Sequence, residues 1–348
     1  MKIVVAMTQV PFVMGGAEFL AQNLVEALKI AGHEVELVNI PMADSSIELL
    51  ENQIVATRLL EVERTWSGCS DLCIGLKFPA YYAQHTNKVI WALHQYRSAY
   101  ELWGTDYVGM HTQPEGARIR KLIHNADNLY LREAKKIYTI AQNVSNRMKK
   151  YNDIDSACLY HPCPDMDKFF CNEYEDYILM PSRINLVKRQ MLAMEAMAQT
   201  KSNIKLYIVG KADNLALYDE IREFVINRKL EDRVQFFDFV SQEKKLELYA
   251  NARAVLFIPF DEDYGYITLE GMSASKPVIT TTDSGGPLEF VNNNKTGIVV
   301  DPNPTDLARA IDEVASSVSL SKELGEAAKK RIIDMDITWD NVVKELTR

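Results

Sequence analysis

The 348-residue sequence predicts an α/β fold made of two doubly wound, Rossmann-like domains, each a parallel sheet with helices on both faces. Three observations lead there. Short apolar runs rich in β-branched residues alternate with segments of helical period in both halves of the chain. Glycine- or acid-bearing turns follow several of those runs, where open α/β sheets bind ligands. The length exceeds one ordinary hydrophobic core and suggests roughly two domains. Hydrophobic and charged fractions of 47% and 25% are those of an ordered globular protein.

In the first half, residues 2–8 (KIVVAMT) form a strand, and Ala17, Leu20, Leu24 and Leu28 then repeat at helical spacing until Gly32. The connecting Val13-Met14-Gly15-Gly16-Ala17-Glu18 is a glycine loop at a helix start, whose backbone N–H groups can approach a phosphate. It lacks the G-x-G-x-x-G spacing of a nicotinamide or flavin site; a tight turn without a ligand is the plain alternative. Strands are expected at 34–39, 72–76 and 88–93, and a helix over 44–63 opened by Asp44-Ser45-Ser46. His94 follows KVIWAL at the carboxyl edge of a parallel strand, a position facing a ligand cleft, with a surface-loop histidine as the alternative.

The segment from His161-Pro162-Cys163-Pro164 to Tyr174 carries prolines, mixed charge and little periodicity, and reads as a linker. The predicted organisation is an N-terminal domain over 1–162, a linker at 163–175, a C-terminal domain over 176–333 and a closing helix at 334–348. In the second domain DYILM at 176–180 begins a strand series that continues near 204–209, 233–237, 254–260, 277–281 and 297–300. Pro181-Ser182-Arg183 and Lys188-Arg189 follow its first strand, and such bases suit a diphosphate: arginine bridges two oxygens and lysine supplies a compact charge.

The chemistry concentrates in residues 254–291. Ala254 to Phe260 reads as a buried strand that stops at Asp261, so Asp261, Glu262 and Asp263 stand at its carboxyl end. Tyr264 and Gly265 complete the turn, with Gly265 giving close backbone approach. Ile267, Leu269 and Met272 then give a buried helix stripe, and Glu270 falls in the first two turns, able to face the same cleft as Glu262. A second strand at 277–281 leads to Asp283-Ser284-Gly285-Gly286 and a helix near Pro287.

Glu262-x7-Glu270, with SASKPVITT and GGPLE after it, resembles the E-x7-E signature of the family 4 retaining glycosyltransferases. The Gly15-Gly16 loop resembles the family's GGAE loop, ITWDNVVKEL its closing helix, and Arg183 and Lys188 its pair of bases five residues apart. The resemblance implies the GT-B fold, two Rossmann-like domains facing a central cleft. It implies that Arg183, Lys188, Gly15 and Gly16 hold the donor's diphosphate, and that Glu262, with Asp263, Tyr264 and Gly265, meets the sugar. It further implies that Glu270 bonds the ribose hydroxyls and that His94 approaches the donor sugar as a catalytic group with Glu262. Retention of configuration, and neutralisation of the leaving group by the bases without a metal or other cofactor, are also implied. Three positions depart from the common pattern: Asp263 and Ile267 replace glycine and proline, and Arg189 stands where glycine usually follows the lysine.

The expected function is transfer of a sugar from a UDP- or GDP-sugar to a hydroxyl of a glycan or lipid-linked saccharide in the synthesis of a cell-envelope polysaccharide, lipopolysaccharide or similar glycan. A nucleotide-sugar 2-epimerase sharing the fold, and a catalytically silent module of a polysaccharide assembly, are the alternatives. A carboxylate-pair hydrolase would leave the phosphate-binding features without a purpose. Net charge −9 argues against a nucleic-acid partner. Residues 114–150 nonetheless carry nine bases against three acids, which suits anionic lipid head groups or an acceptor's diphosphate, with solvated helix faces as the alternative. Five cysteines lack zinc-type spacing and read as reduced thiols; Cys163 and Cys171 read as apolar side chains near a domain junction rather than partners of His161 in a metal site. With a strand opening directly after Met1 and no bilayer-length apolar run, a cytoplasmic location is expected, with peripheral contact at the inner face of the membrane.

Overall fold

The computed structural model describes residues 1–42, 46–66 and 68–348. Two units divide the chain: Met1–Pro164 with Ile337–Arg348, and Asp165–Asp336.

In the first unit β1 (Lys2–Gln9) leads through the glycine loop to α1 (Gly16–Ile30), then β2 (Glu34–Pro41) and α2 (Ile47–Leu59). Ser46 caps α2 by accepting from the Leu49 amide; the expected start at Asp44 and Ser45 lies outside the described residues. A small antiparallel hairpin, β3 (Arg64–Thr65) and β4 (Gly68–Cys69), precedes β5 (Leu72–Gly75) and β6 (Lys88–Ala92). The chain continues through α3 (Gly116–Tyr130), β7 (Lys136–Thr139), α4 (Gln142–Asn152) and β8 (Ala157–Cys158). The sheet order is β2-β1-β5-β6-β7-β8, parallel throughout. The strand order reverses beside β1, so the loop carrying Gly15 and Gly16 leaves the sheet at its switch point.

The second unit runs β9 (Tyr177–Met180), α5 (Gln190–Met197), β10 (Lys205–Val209), α6 (Leu215–Asn227), β11 (Val234–Phe237), α7 (Gln242–Asn251) and β12 (Ala254–Leu256). It continues with α8 (Tyr266–Ser273), β13 (Val278–Thr281), α9 (Pro287–Phe290), β14 (Gly297–Val300), α10 (Pro304–Ser316) and α11 (Val318–Asp334). Its parallel order is β11-β10-β9-β12-β13-β14, and the loops after β9 and β12 flank the switch point. Ile178, Met180, Leu206, Ile208, Leu256 and Ile279 build one continuous core with Met194, Ile221 and Ile311 of the covering helices.

The strand expected over 254–260 is shorter than read: β12 ends at Leu256. Beyond it the Phe260 amide donates to the Val187 carbonyl and the Asp261 amide to that of Asp283, while Asp261 takes a left-handed φ of 44°. The backbone thus leaves the ladder to bind the neighbouring loops, although Phe257 to Phe260 keep strand-like composition.

The last helix, α12 (Trp339–Leu346), packs in the first unit. The Tyr138 hydroxyl donates to the Glu345 carbonyl at 3.1 Å, and Trp339 meets Trp91 edge to face with centroids 6.3 Å apart. His161 sits against both indoles, with centroid distances of 5.4 and 5.9 Å. Its burial holds the imidazole down at a pKa of about 3, against an ordinary value near 6.5. Cys163 is buried, whereas Cys171 is exposed and lies in the second unit.

Candidate functional site

At the switch point of the second sheet the loop after β9 turns back on itself through a short 3-10 segment at Leu186–Lys188, capped by the Asn185 side chain. This turn aims Lys188 at the loop after β12, where its Nζ lies 2.6 Å from Glu262 Oε2 and 5.1 Å from the Phe257 ring centroid. Both side chains are largely shielded, which strengthens the pair relative to a surface one.

Arg189 occupies the left-handed region with φ 58°, the backbone setting that favours glycine. The arginine is held there by two hydrogen bonds to Asp283, at 2.8 and 2.6 Å, and by its guanidinium lying over the Phe260 ring. Burial pushes the Asp283 carboxyl up, but the Arg189 and Thr281 bonds outweigh it and hold the group below its ordinary value. The two bases that follow β9 are thereby separated: Lys188 goes to Glu262 and Arg189 to Asp283. Arg183 is directed elsewhere, donating to Asp213 in the loop after β10 at 3.2 Å and remaining mostly exposed.

The loops after β12 and β13 run side by side. The Glu262 amide donates to the Ser284 carbonyl at 2.9 Å, and the Gly286 amide donates to the Glu262 carbonyl at 2.8 Å. A Cβ on Gly286 would stand 2.6 Å from the Asp263 carbonyl oxygen and 2.8 Å from that of Tyr264, so only glycine permits this approach. The Tyr264 ring is buried edge-on to Tyr266 and Phe290. Gly265, at φ 86°, ends the loop and starts α8.

Glu270 stands on α8 with its carboxylate buried against α7. Lys245 Nζ donates to Oε1 at 2.6 Å, and the Tyr249 hydroxyl donates to Oε2 at 2.5 Å. Lys245 in turn lies 5.5 Å from the Phe169 ring centroid. Sequence reasoning placed neither Lys245 nor Tyr249: both belong to a helix whose spacing to Glu270 is visible only once α7 and α8 are packed.

On the first unit, Gly15 is the N-cap of α1 in an extended conformation, and its amide donates to the Glu18 carboxylate at 2.8 Å. That amide is therefore already engaged, and Gly16 opens the helix behind it. His94 lies just past β6, with Nδ1 2.6 Å from the Gln95 carbonyl oxygen. The carbonyl can only accept, so the proton sits on Nδ1 and Nε2 is the basic nitrogen of the neutral ring. Beneath it the Gln95 amide donates to the buried carboxylate of Asp127 at 2.9 Å, which also accepts from the Tyr82 and Tyr100 hydroxyls at 2.6 Å each.

Among the described residues, no helix is long and apolar enough to cross a membrane, and no group of three or more histidine, cysteine or acidic side chains has metal-binding geometry.

Residues 165–331 match the family model of the glycosyl transferases group 1. The chain is 34% identical over 128 residues to the α-1,3/1,6-mannosyltransferase ALG2 of Dictyostelium discoideum, covering 37% of this chain and 30% of that protein. It is 29% identical over 168 residues to human ALG2, covering 44% and 40%. The chain thus spans well under half the length of these curated relatives. Among solved structures, sucrose-phosphate synthase from Thermosynechococcus elongatus superposes with a TM-score of 0.80 at 17% identity, over 99% of this chain and 97% of that one. WaaG, a glycosyltransferase of lipopolysaccharide biosynthesis, superposes with a TM-score of 0.72 at 14% identity over the whole of both chains. These likenesses give the fold, and the family model falls on the unit that holds Lys188, Glu262 and Glu270. The match places residues 165–331 among the group 1 glycosyl transferases, and the chain has the GT-B fold of the family 4 enzymes that its E-x7-E stretch resembles.

Proposed function

We propose that the protein is a glycosyltransferase that moves a sugar from a nucleoside-diphosphate sugar to a hydroxyl of a glycan or lipid-linked saccharide. The observation that carries this reading is the Lys188–Glu262 contact at the switch point of the family-matched unit. It puts one cation suited to a leaving phosphate beside one carboxylate suited to sugar hydroxyls. In this reading Lys188 and Arg183 stabilise the departing diphosphate, Glu262 orients the sugar, and the main chain of Asp263, Tyr264 and Gly265 shapes its pocket. Glu270, held by Lys245 and Tyr249, receives the ribose hydroxyls. Gly15, Gly16 and His94 keep their donor-binding and catalytic roles as proposals, each checked by single substitution.

The proposed mechanism retains anomeric configuration, with the leaving phosphate taking the acceptor's proton on the face from which it departs, and it uses no metal. A stereochemical assay of the product and turnover in the presence of a chelator test these two points. The mannosyltransferase relatives put mannosyl donors among the sugars to try first. A place in cell-envelope glycan synthesis, in the cytoplasm and against the inner membrane face, is part of the same proposal; flotation with anionic vesicles at low salt tests the membrane contact.

The test of the reading is a thermal-shift screen of UDP, GDP, ADP and dTDP sugars, followed by turnover of the one that binds. A ligand selective for the native state raises Tm by mass action. Stabilisation by one donor, lost in Glu262→Ala together with turnover, supports the reading. Normal binding and turnover by that variant would remove Glu262 from the site.

A further inference from the structure

Most of the bases in residues 114–150 have acceptors of their own. Arg118 bonds Glu51 and Glu115, Arg132 bonds the Asn152 and Asp153 carbonyls, and Lys136 reaches the Arg348 carbonyl. Arg147 pairs with Glu101, and Lys149 with Asp153 and Asp155. Lys135 and Lys150 have no such acceptor among the described residues, and two further neighbours share a cavity. Arg120 and Lys121 line a cavity of about 350 Å³ with Trp103, Ala117 and His124, and neither base has a carboxylate partner among the described residues.

The cavity is built rather than incidental. Ala117, Arg120, Lys121 and His124 fall at i, i+3, i+4 and i+7 on α3, which makes one continuous stripe of that helix. The Ala99 carbonyl accepts from Arg120 Nε and lies 2.9 Å from His124 Nε2, so a single main-chain oxygen tethers both side chains. His124 is further fixed by stacking on Tyr100 at a centroid distance of 4.2 Å. The Arg120 guanidinium lies 4.8 Å from the Trp103 ring centroid, which fixes its plane. With Nε committed to the tether, the two terminal nitrogens of Arg120 have no acceptor among the described residues. They form a fork suited to two oxygens of one anion, with the Lys121 ammonium as a second charge. The volume is at the lower end of the roughly 300–1,000 Å³ of small-molecule sites.

We propose that this pocket binds a phosphate group carried by a saccharide, with Arg120 and Lys121 on the phosphate and the edge of Trp103 against the sugar. Its use as the acceptor's pocket rests on the glycosyl-transfer reading. The binding itself does not, because the pocket and all its lining residues belong to the first unit.

The experiment labels the full chain with 5-fluorotryptophan and follows the Trp103 fluorine resonance, assigned through Trp103→Phe, with no nucleotide present. Glucose 6-phosphate is titrated against glucose, and vesicles of phosphatidic acid in phosphatidylcholine against phosphatidylcholine alone. The expected result is a saturable shift with the phosphate ester and none with glucose. Arg120→Gln/Lys121→Gln should weaken binding about tenfold or more, and the surface change Lys121→Gln, which leaves the Arg120 tether in place, by a smaller factor. A shift given by the phosphatidic acid vesicles and not by the soluble ester would assign the same phosphate chemistry to a lipid head group. No shift with either phosphate, equal shifts with glucose and its ester, or unchanged binding in both variants would overturn the proposal. Loss of donor binding at Glu262 would leave every one of these readouts unmoved.

Discussion

Lys188 Nζ and Glu262 Oε2 stand 2.6 Å apart although 74 positions separate them in the chain. The contact exists because β9 and β12 are neighbours across the switch point, so loops distant in sequence leave the sheet side by side. On the proposed reading, the cation for the leaving group and the carboxylate for the sugar neutralise each other until a donor separates them. Replacing Lys188 by Gln should lower kcat/KM by about 10²-fold or more, the scale seen when one group aimed at developing charge is removed. The same change should cost about 1.5–3 kcal/mol of stability, the scale of a hydrogen bond between charged groups, because both side chains are largely shielded. Steady-state kinetics and urea unfolding of one preparation check both halves.

Arg189 gives a second, separable prediction. Arg189→Gly relieves a left-handed backbone strain of about 1 kcal/mol but removes both bonds to Asp283. Asp283 has a folded-state pKa held below its ordinary 3.8, so its contribution to stability is present above that value and is lost as pH falls through the folded-state value. The native chain should therefore lose this increment on acidification below about pH 4, whereas Arg189→Gly, lacking it, should not. Urea midpoints at neutral pH and near pH 3 make the comparison.

His161 works in the opposite part of the scale. Its folded-state pKa of about 3 lies below the ordinary 6.5, so the neutral ring stabilises the fold fully above 6.5. That stability drains away as pH falls from about 6.5 towards 3, by on the order of 5 kcal/mol in all. His161→Phe keeps an aromatic ring against Trp91 and Trp339 and should flatten the slope of stability over that window. An unchanged slope would show that other groups set it.

Asp127 is fully buried, and desolvation raises its pKa despite bonds from Tyr100, Tyr82, Gln95 and Tyr81. Asp127→Ala would leave those donors facing an empty acceptor site, and one unsatisfied buried group costs about 1–3 kcal/mol. The expected loss is about 3 kcal/mol or more by chemical denaturation. Gln95, whose main-chain carbonyl fixes His94, donates to Asp127 through its side-chain amide, so on the proposed reading surviving activity should fall as well.

How far the sequence disclosed this protein follows from where the information sits. Both parallel sheets were legible because their central strands are buried on both faces, and VVAM, VIWA and YILM are continuous apolar runs. By contrast β7, reading KIYT, carries a lysine at its exposed start and lacks that signature, and the two-residue β8 has no pattern to read. In the region of the site, the helix bearing Glu270 was readable from its apolar stripe, and the close loop at Gly265 from its glycine. What Glu270 touches was not, because Lys245 and Tyr249 are set by the packing of α7. Arg189 shows the same limit: a left-handed arginine is intelligible only when Asp283 is seen to hold it.

The most direct measurement is turnover of a nucleoside-diphosphate sugar by the purified chain beside Glu262→Ala. The account predicts acceptor-dependent release of the nucleoside diphosphate by the native chain and its loss, by about 10²-fold or more, in the variant. Release at the same rate from both proteins would contradict it.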